Sequence, residues 1–373
     1  MENNSTEIRP FRIEIPEADL DDLRYRLDRT RFTGELPGVG SDYGVSLEYV
    51  QKLVDYWKDG YDWRAWEAKL NSYPQFSTEI DGQHIHFLHV RSPEPDATPL
   101  ILTHGWPTTP AEYLDVIGPL SDPRAHGGNP ADAFHLVIPS LPGFGFSGPT
   151  TERGWNRYRT AKAWAELMRR LGYDSYGAHG NDGGSLVSPE IGRFDPEHVT
   201  GVHVTQIFSF PNGTPGELDG LSEEDTGRVK FLQWFYENQG AYDKLQSQAP
   251  QNLAHALADS PVGQLAWSCQ LFGDAVSRDY ILTNVMTYWL TNTAASSARF
   301  YYEDAHAEAP TEPTTVPTGL ANFAFDFQSI RPFAERDHHN IVSWHTYDTG
   351  SHFAAHDAPD LLVDDIRGFF RSL

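Results

Sequence analysis

Apolar and polar positions run in two rhythms along this chain, and the rhythm changes three times. Up to about residue 80 the pattern is helical and aromatic. Pro16 opens a helix with Glu17, Asp19, Asp21 and Asp22 early, Arg24, Arg26 and Arg29 late, and Leu20, Leu23 and Leu27 on its apolar side. That charge order suits the helix dipole and predicts a packing element. From Phe76 the period becomes that of strands. Ser77–Ile80 and His84–His89 flank Asp81-Gly82, a hairpin signal. Pro99–Thr103 and Phe134–Pro139 are short continuous apolar runs ending in Gly- or Pro-rich loops, as expected of strands buried on both faces. Tyr158–Leu171 predicts a helix with Ala161, Trp164, Leu167 and Met168 on one face, and Tyr176–Ala178 and Gly201–Gln206 predict further strands.

Residues 211–308 return to a helical pattern rich in aromatics and amides, with no buried-strand run. Strand signals resume at Thr314–Pro317 and Ile341–Thr346. A helix from Pro359 then closes the chain, with Leu362, Ile366, Phe369 and Leu373 at helical spacing. Alternating strands and helices predict an α/β fold around a mostly parallel sheet. The expected organisation is an N-terminal extension (1–80), a first part of the core (81–210), an inserted helical cap (211–308) and a second part of the core (309–373).

Charge narrows the partners. The 373 residues carry 28 Lys and Arg against 52 Asp and Glu, a formal net charge of −24. So acidic a surface repels phosphate backbones and anionic lipid, which argues against nucleic-acid and membrane binding. The single cysteine, Cys269, excludes an internal disulfide and multi-cysteine metal sites, and reads as a small buried hydrophobe. With no apolar signal region near the start and no run of about 18 apolar residues, the expectation is a cytoplasmic protein.

Candidate chemistry gathers at loop positions. Gly180-Asn181-Asp182-Gly183-Gly184 stands between a predicted strand and helix, where small residues two before and two after the centre permit a nucleophile elbow. Its centre is Asp182, and no G-x-S-x-G motif occurs. The motif alone is also compatible with a plain turn. His104-Gly105-Trp106-Pro107 follows the run PLILT; in a hydrolase built on such a sheet, the Trp106 and Gly183 N–H groups would form an oxyanion hole. Of sixteen histidines, His352 lies after the last predicted strand and just before the terminal helix, the place of a general base, with His356 its nearest rival. Asp326, after the predicted strand at Thr314–Pro317, is the candidate relay acid, whereas Glu335 and Asp337 read as solvated loop charges. Two further motifs carry less. Gly143-x-Gly145-x-x-Gly148 fits a dinucleotide fingerprint but is flanked by Pro142 and Pro149 and opens no periodic helix, and His84-x-His86 lacks a third metal ligand nearby.

Taken together, these residues resemble an α/β-hydrolase-fold epoxide hydrolase of the microsomal type. The resemblance runs over nearly the whole chain: IRPFRIEIPEADLDDLRYRL, HGWP, PSLPGFGFSG, the elbow, ADSPVG, SSARFYYE and SHFAA. It implies Asp182 as nucleophile, Asp326 as charge-relay acid, His352 as base, and two cap tyrosines, Tyr242 and Tyr301, that activate the epoxide oxygen. Tyr302 would point about 100° away from Tyr301 on a helix. It implies a small-molecule hydrophobic epoxide as partner, without metal or organic cofactor, and leaves a homo-oligomer open. The chain departs from the family pattern at Gly183, where an aromatic is usual, and at Pro189 inside the helix leaving the elbow. The aromatic cap suggests a bulky aromatic epoxide, and the chain is similar to bacterial members acting on polyketide antibiotics. The alternatives are a related Asp-nucleophile dehalogenase and a catalytically silent protein that binds a hydrophobic ligand.

Overall fold

The computed structural model describes residues 6–273 and 276–373. In the N-terminal stretch, β1 (Arg9–Phe11) is followed by helices α1 (Glu17–Asp28), α2 (Leu47–Asp59) and α3 (Trp63–Leu70). The hairpin of β2 (Gln75–Ile80) and β3 (Gln83–Val90) turns at Asp81 and Gly82, both with positive φ (51° and 75°), as a two-residue turn matching strand twist requires. Then come β4 (Thr98–Thr103), α4 (Leu114–Ser121), β5 (Phe134–Pro139), α5 (Arg157–Arg170), β6 (Tyr176–Gly180), α6 (Gly183–Phe194) and β7 (Val199–Val204).

Six helices separate β7 from the next strand: α7 (Glu223–Asn238), α8 (Ala241–Gln248), α9 (Pro250–Asp259), α10 (Pro261–Phe272), α11 (Arg278–Thr291) and α12 (Ala294–Ala305). The chain re-enters the sheet at β8 (Thr318–Asn322), continues through α13 (Arg331–Asp337), β9 (Ile341–Thr346) and α14 (Ala354–Asp357), and ends in α15 (Pro359–Arg371). Two expectations shift here. The strand signal at Thr314–Pro317 lies before β8, because two prolines at 313 and 317 withhold ladder N–H groups and the strand begins only beyond them. Leu373 falls outside α15 and is half exposed, while Leu362, Ile366 and Phe369 are buried as the spacing predicts.

The strands form one sheet in the order β1-β2-β3-β5-β4-β6-β7-β8-β9, antiparallel through β3–β5 and parallel from β5 to β9. Both faces are covered. Leu100 and Leu102 of β4 enter one apolar cluster and Ile101 the other, the alternation expected of a strand buried on both sides. The N-terminal helices pack against the inserted ones: Trp57 donates its indole N–H to Met286 Sδ (3.1 Å), Tyr61 meets Thr283 (3.1 Å), and Tyr56 donates to Asp279 (2.6 Å). The extension thus fixes α11, which in turn bounds the loops at the C-terminal edge of the parallel strands. Among the described residues, no helix is long and apolar enough to cross a membrane.

Candidate active site

Asp182 sits between β6 and α6 with φ 52° and ψ −116°, a region non-glycine residues rarely occupy. Its neighbours explain how the chain reaches this turn. A Cβ on Gly180 would lie 2.1 Å from the Gly184 carbonyl oxygen, and one on Gly184 would lie 1.7 Å from the Thr103 oxygen. Only glycine at both places lets strand, turn and helix close so tightly. Gly105 does the same for the facing loop, since its Cβ would collide with Asp182 Oδ1 at 2.1 Å.

The approach of that loop brings the Trp106 N–H to Asp182 Oδ1 at 2.8 Å. The Gly183 N–H, at the start of α6, also bears on the carboxylate. His104 shapes the loop from within: its Nδ1–H donates to the Gly105 carbonyl (2.9 Å) and its Nε2 accepts from the Leu141 N–H (3.2 Å). Burial holds this imidazole neutral, with a pKa pushed down to about 4.

The other carboxylate oxygen, Asp182 Oδ2, lies 3.5 Å from His352 Nε2, while His352 Nδ1 lies 2.7 Å from Asp326 Oδ1. The structure therefore brings together Asp182, His352 and Asp326 from three separate loops. Burial pushes the His352 pKa down, but Asp326 and then Asp182 overcome it and hold it well above the ordinary histidine value. Burial likewise pushes Asp182 up, and His352 with the Trp106 and Gly183 N–H groups holds it below the usual carboxylate range. Both neighbours therefore favour the protonated form of the imidazole.

The rival residues are engaged elsewhere. His356 pairs with Asp115 (2.8 Å), His345 with Asp365 (2.8 Å) and His338 with Thr314 (2.7 Å). Glu335 and Asp337 pair with Arg331 and Arg336, each at 2.7 Å. His86 is a core histidine bonded to Ser140 (2.9 Å) and Gln75 (2.8 Å), while His84 faces solvent. The glycines 143, 145 and 148 line a loop of positive-φ residues against the inserted helices; Ser296 Oγ donates to the Gly143 carbonyl at 2.5 Å.

Tyr242 at the start of α8 and Tyr301 in α12 meet over Trp106. Tyr242 stacks on the indole at 5.6 Å, Tyr301 stands edge-on to it at 6.0 Å, and the two phenol rings are 6.1 Å apart. Burial first, and the Asp182 charge second, raise both phenol pKa values, so both hydroxyls keep their protons. Tyr302 stacks instead on His306 (4.1 Å). A Cβ at Gly183 would meet Gly105 Cα (3.4 Å), Leu141 Cδ1 (3.7 Å) and the His104 oxygen (3.8 Å) at ordinary contact distances, so the backbone there has room for a Cβ. Helix α6 runs unbroken through Pro189 to Phe194.

Three residues of the site were not assigned from the sequence. Gln206 Oε1 accepts from the Asp182 N–H (2.8 Å) and from Ser185 Oγ (2.9 Å), and its amide donates to Asp326 Oδ2 and to Asn181 Oδ1 (2.8 Å). Asn181 donates to Glu112 Oε1 (2.8 Å) and to the His352 carbonyl (2.9 Å). One connected set of amides thus ties Asp182, His352 and Asp326 together. Asn181 lies inside the elbow motif, but nothing local marks Gln206 or Glu112, whose roles depend on which loops meet.

The chain is similar to several known proteins. The family described as "Epoxide hydrolase N terminus" matches residues 8–113. The chain is 42% identical to a Stigmatella aurantiaca protein named "Putative epoxide hydrolase", over 98% of this chain and 85% of that one. It is 33% identical to epoxide hydrolase 1 of Sus scrofa, over 97% and 88% respectively. The Aspergillus niger epoxide hydrolase superposes with a TM-score of 0.86 at 28% identity, covering 98% of this chain and 96% of that one.

Proposed function

The chain belongs to the epoxide hydrolases of the α/β-hydrolase fold, and from that premise we propose that it opens its substrate in two displacements through an ester of Asp182. The observation that carries this reading is the division of labour on one carboxylate. Oδ1 is held by the Trp106 N–H, and Oδ2 lies 3.5 Å from His352 Nε2. Oδ2 attacks an epoxide carbon, the C–O bond breaks, and a proton from Tyr242 or Tyr301 passes to the departing ring oxygen. Oδ1 becomes the carbonyl oxygen of the ester, already seated against two N–H groups.

Ester formation then changes His352. The imidazolium gives up its proton, which restores the tyrosinate, and with Asp182 neutral the raised pKa loses one of its two supports. The neutral imidazole, oriented by Asp326, takes a proton from water as that water attacks the ester carbonyl. The Trp106 and Gly183 N–H groups stabilise the oxyanion; as it collapses, the bond from the carbonyl carbon to Oδ2 breaks, the leaving alkoxide takes the proton of the new carboxylic acid, and the diol departs with Asp182 ionised and His352 protonated again. An aspartate nucleophile suits this order because the carbonyl attacked in the second step is the enzyme's own.

We further read residues 211–308 as the cap and 1–80 as the extension that braces it. A bulky aromatic epoxide fits the aromatic rings that lead outward from the site. Phe208 stacks on Phe327 (5.4 Å), Phe210 meets Phe327 (5.7 Å) and Tyr236 (6.2 Å), and Phe231 stacks on Trp234 (5.7 Å). Phe231 and Phe327 line a groove of about 250 Å³ together with Glu224, Gly227, Arg228 and Gln328. Polyketide-derived epoxides are substrates of this shape, and their assignment rests on sequence resemblance alone. The testing experiment is diol formation from aryl epoxides by the wild type and Asp182→Ala, with haloalkanes and esters alongside. Diol lost in the variant supports the reading. Halide release without diol would favour a dehalogenase, and tight binding without turnover a silent binding protein.

A further inference from the structure

We infer that Glu112 serves as a protonated, neutral acid behind the elbow, a positioning residue whose proton must be kept for His352 to act as base on the Asp182 ester. The inference rests on the two-step reading above. Glu112 is 1% exposed and lies in a single 3₁₀ turn, residues 110–113, just after the Trp106 loop. Its Oε1 accepts from Asn181 at 2.8 Å, and its Oε2 lies 2.5 Å from Thr108 Oγ1. Among the described residues no Lys or Arg forms an ion pair with it. An ionised carboxylate here would be a buried charge met by one N–H and one O–H, a costly state.

Counting protons points the same way. Thr108 Oγ1 is also 3.1 Å from the Gly105 carbonyl oxygen, which can only accept. The hydroxyl has one proton. If Glu112 is ionised, that proton goes to Oε2, and Oγ1 faces the Gly105 oxygen with nothing between them. If Glu112 is protonated, its O–H donates to Thr108, Thr108 donates to Gly105, and Asn181 fills Oε1, so every atom is paired. The titratable groups facing Glu112 are Asp182 of the elbow, His352 of the base loop, Tyr113 of its own turn, and Tyr280 and Tyr288 of α11. Burial chiefly, with Asp182 adding to it, pushes the Glu112 pKa up to about 7 despite the opposing bonds from Thr108 and Asn181 and the charge of His352.

The consequence falls on the second displacement. Esterification removes the Asp182 charge and lets His352 become a neutral base. A Glu112 carboxylate would put a negative charge back beside His352, keep the imidazolium protonated and stall attack by water. Asn181, which donates to both Glu112 and the His352 carbonyl, would be drawn toward the anion as well.

Glu112→Gln tests this, because its amide donates to Thr108 and its oxygen accepts from Asn181 as the neutral acid does. Ester breakdown at neutral pH should stay within about threefold of wild type. The wild type is expected to lose breakdown rate as pH rises through about 7 to 8, and in the variant that fall should disappear or move up by at least about one unit. Thermal stability gives a readout independent of catalysis. A carboxyl whose folded pKa is raised stabilises fully below its unfolded value near 4.5 and loses that contribution as pH rises through about 7. The Tm of Glu112→Gln should therefore gain on the wild type over that window. Overlapping pH profiles for ester breakdown and Tm, or a tenfold or larger loss at neutral pH in a folded variant, would overturn the inference. If the variant does not fold, infrared spectra of wild type carrying ¹³C-glutamate decide. A protonated glutamate carboxyl band present near pH 6 and lost by about pH 9 supports the inference, and its absence at both overturns it. If no ester forms at all, the two-step reading fails instead.

Discussion

His352 Nε2 stands 3.5 Å from Asp182 Oδ2, on the carboxylate oxygen opposite the one that accepts the Trp106 N–H. Two oxygens of one side chain are thereby given different surroundings before any substrate arrives. A backbone N–H distinguishes one oxygen and the His352 side chain the other, and glycines at 105, 180 and 184 let three chain segments close on Asp182.

Tyr242 and Tyr301 hold their protons through burial beside Asp182, so each can donate to an epoxide oxygen. Tyr242→Phe and Tyr301→Phe should each slow ester formation by about 10²-fold while changing KM little. Pre-steady-state rates of ester formation check this. An unchanged rate would leave the residue a packing role against Trp106.

Asp326 is 4% exposed in its side chain, bonded to His352 at 2.7 Å and to the Gln206 amide. Asp326→Asn keeps the shape but loses the charge that raises His352 and orients its tautomer. Ester hydrolysis should fall by about 10³- to 10⁴-fold, with ester formation much less affected. Rapid-quench measurement of the two steps separates them, and equal losses in both would contradict the assigned role.

Phe231 and Trp234 lie on α7 about half exposed and stacked on each other, and Phe231 shares a groove with Phe327. Replacing both with alanine should raise KM about tenfold for polycyclic aryl epoxides and leave styrene oxide nearly unchanged, since a small substrate does not reach the rim. Equal effects on both substrates would remove the rim from substrate binding.

Behind the sheet, fully buried Asp365 accepts from His203 (2.9 Å), from His345 (2.8 Å) and from Tyr347. Burial pushes its pKa up, but these bonds hold it down at about 2. A lowered carboxyl contributes stability above its unfolded value near 3.8 and loses it as pH falls through about 2. Asp365→Asn should cost about 2 kcal/mol at neutral pH, a deficit that shrinks on acidification through that window. Urea melts across pH measure it; a deficit that stays constant would mean that shape, and not charge, is what the site needs.

Much of this arrangement was readable in the sequence because local chemistry marks it. The Asp81-Gly82 hairpin, the apolar runs of β4 and β5 and the elbow glycines each encode their own geometry. The position of β8 was misplaced by four residues, since a strand signal does not by itself say where prolines will let a ladder begin. Gln206 and Glu112 were invisible for a different reason. Each bonds to residues far away in the chain, and a Gln or Glu beside apolar neighbours carries no local sign of such a partner.

The central claim, that Asp182 itself delivers the new oxygen, is tested most directly by a single turnover in ¹⁸O-labelled water with enzyme in excess over an aryl epoxide. Mass spectrometry of the diol and of the peptide containing Asp182 locates the label. The account predicts unlabelled diol and one ¹⁸O in the Asp182 carboxylate, with no such transfer in Asp182→Ala. Labelled diol from the first turnover, with the peptide unlabelled, would mean that water opens the ring directly and would contradict it.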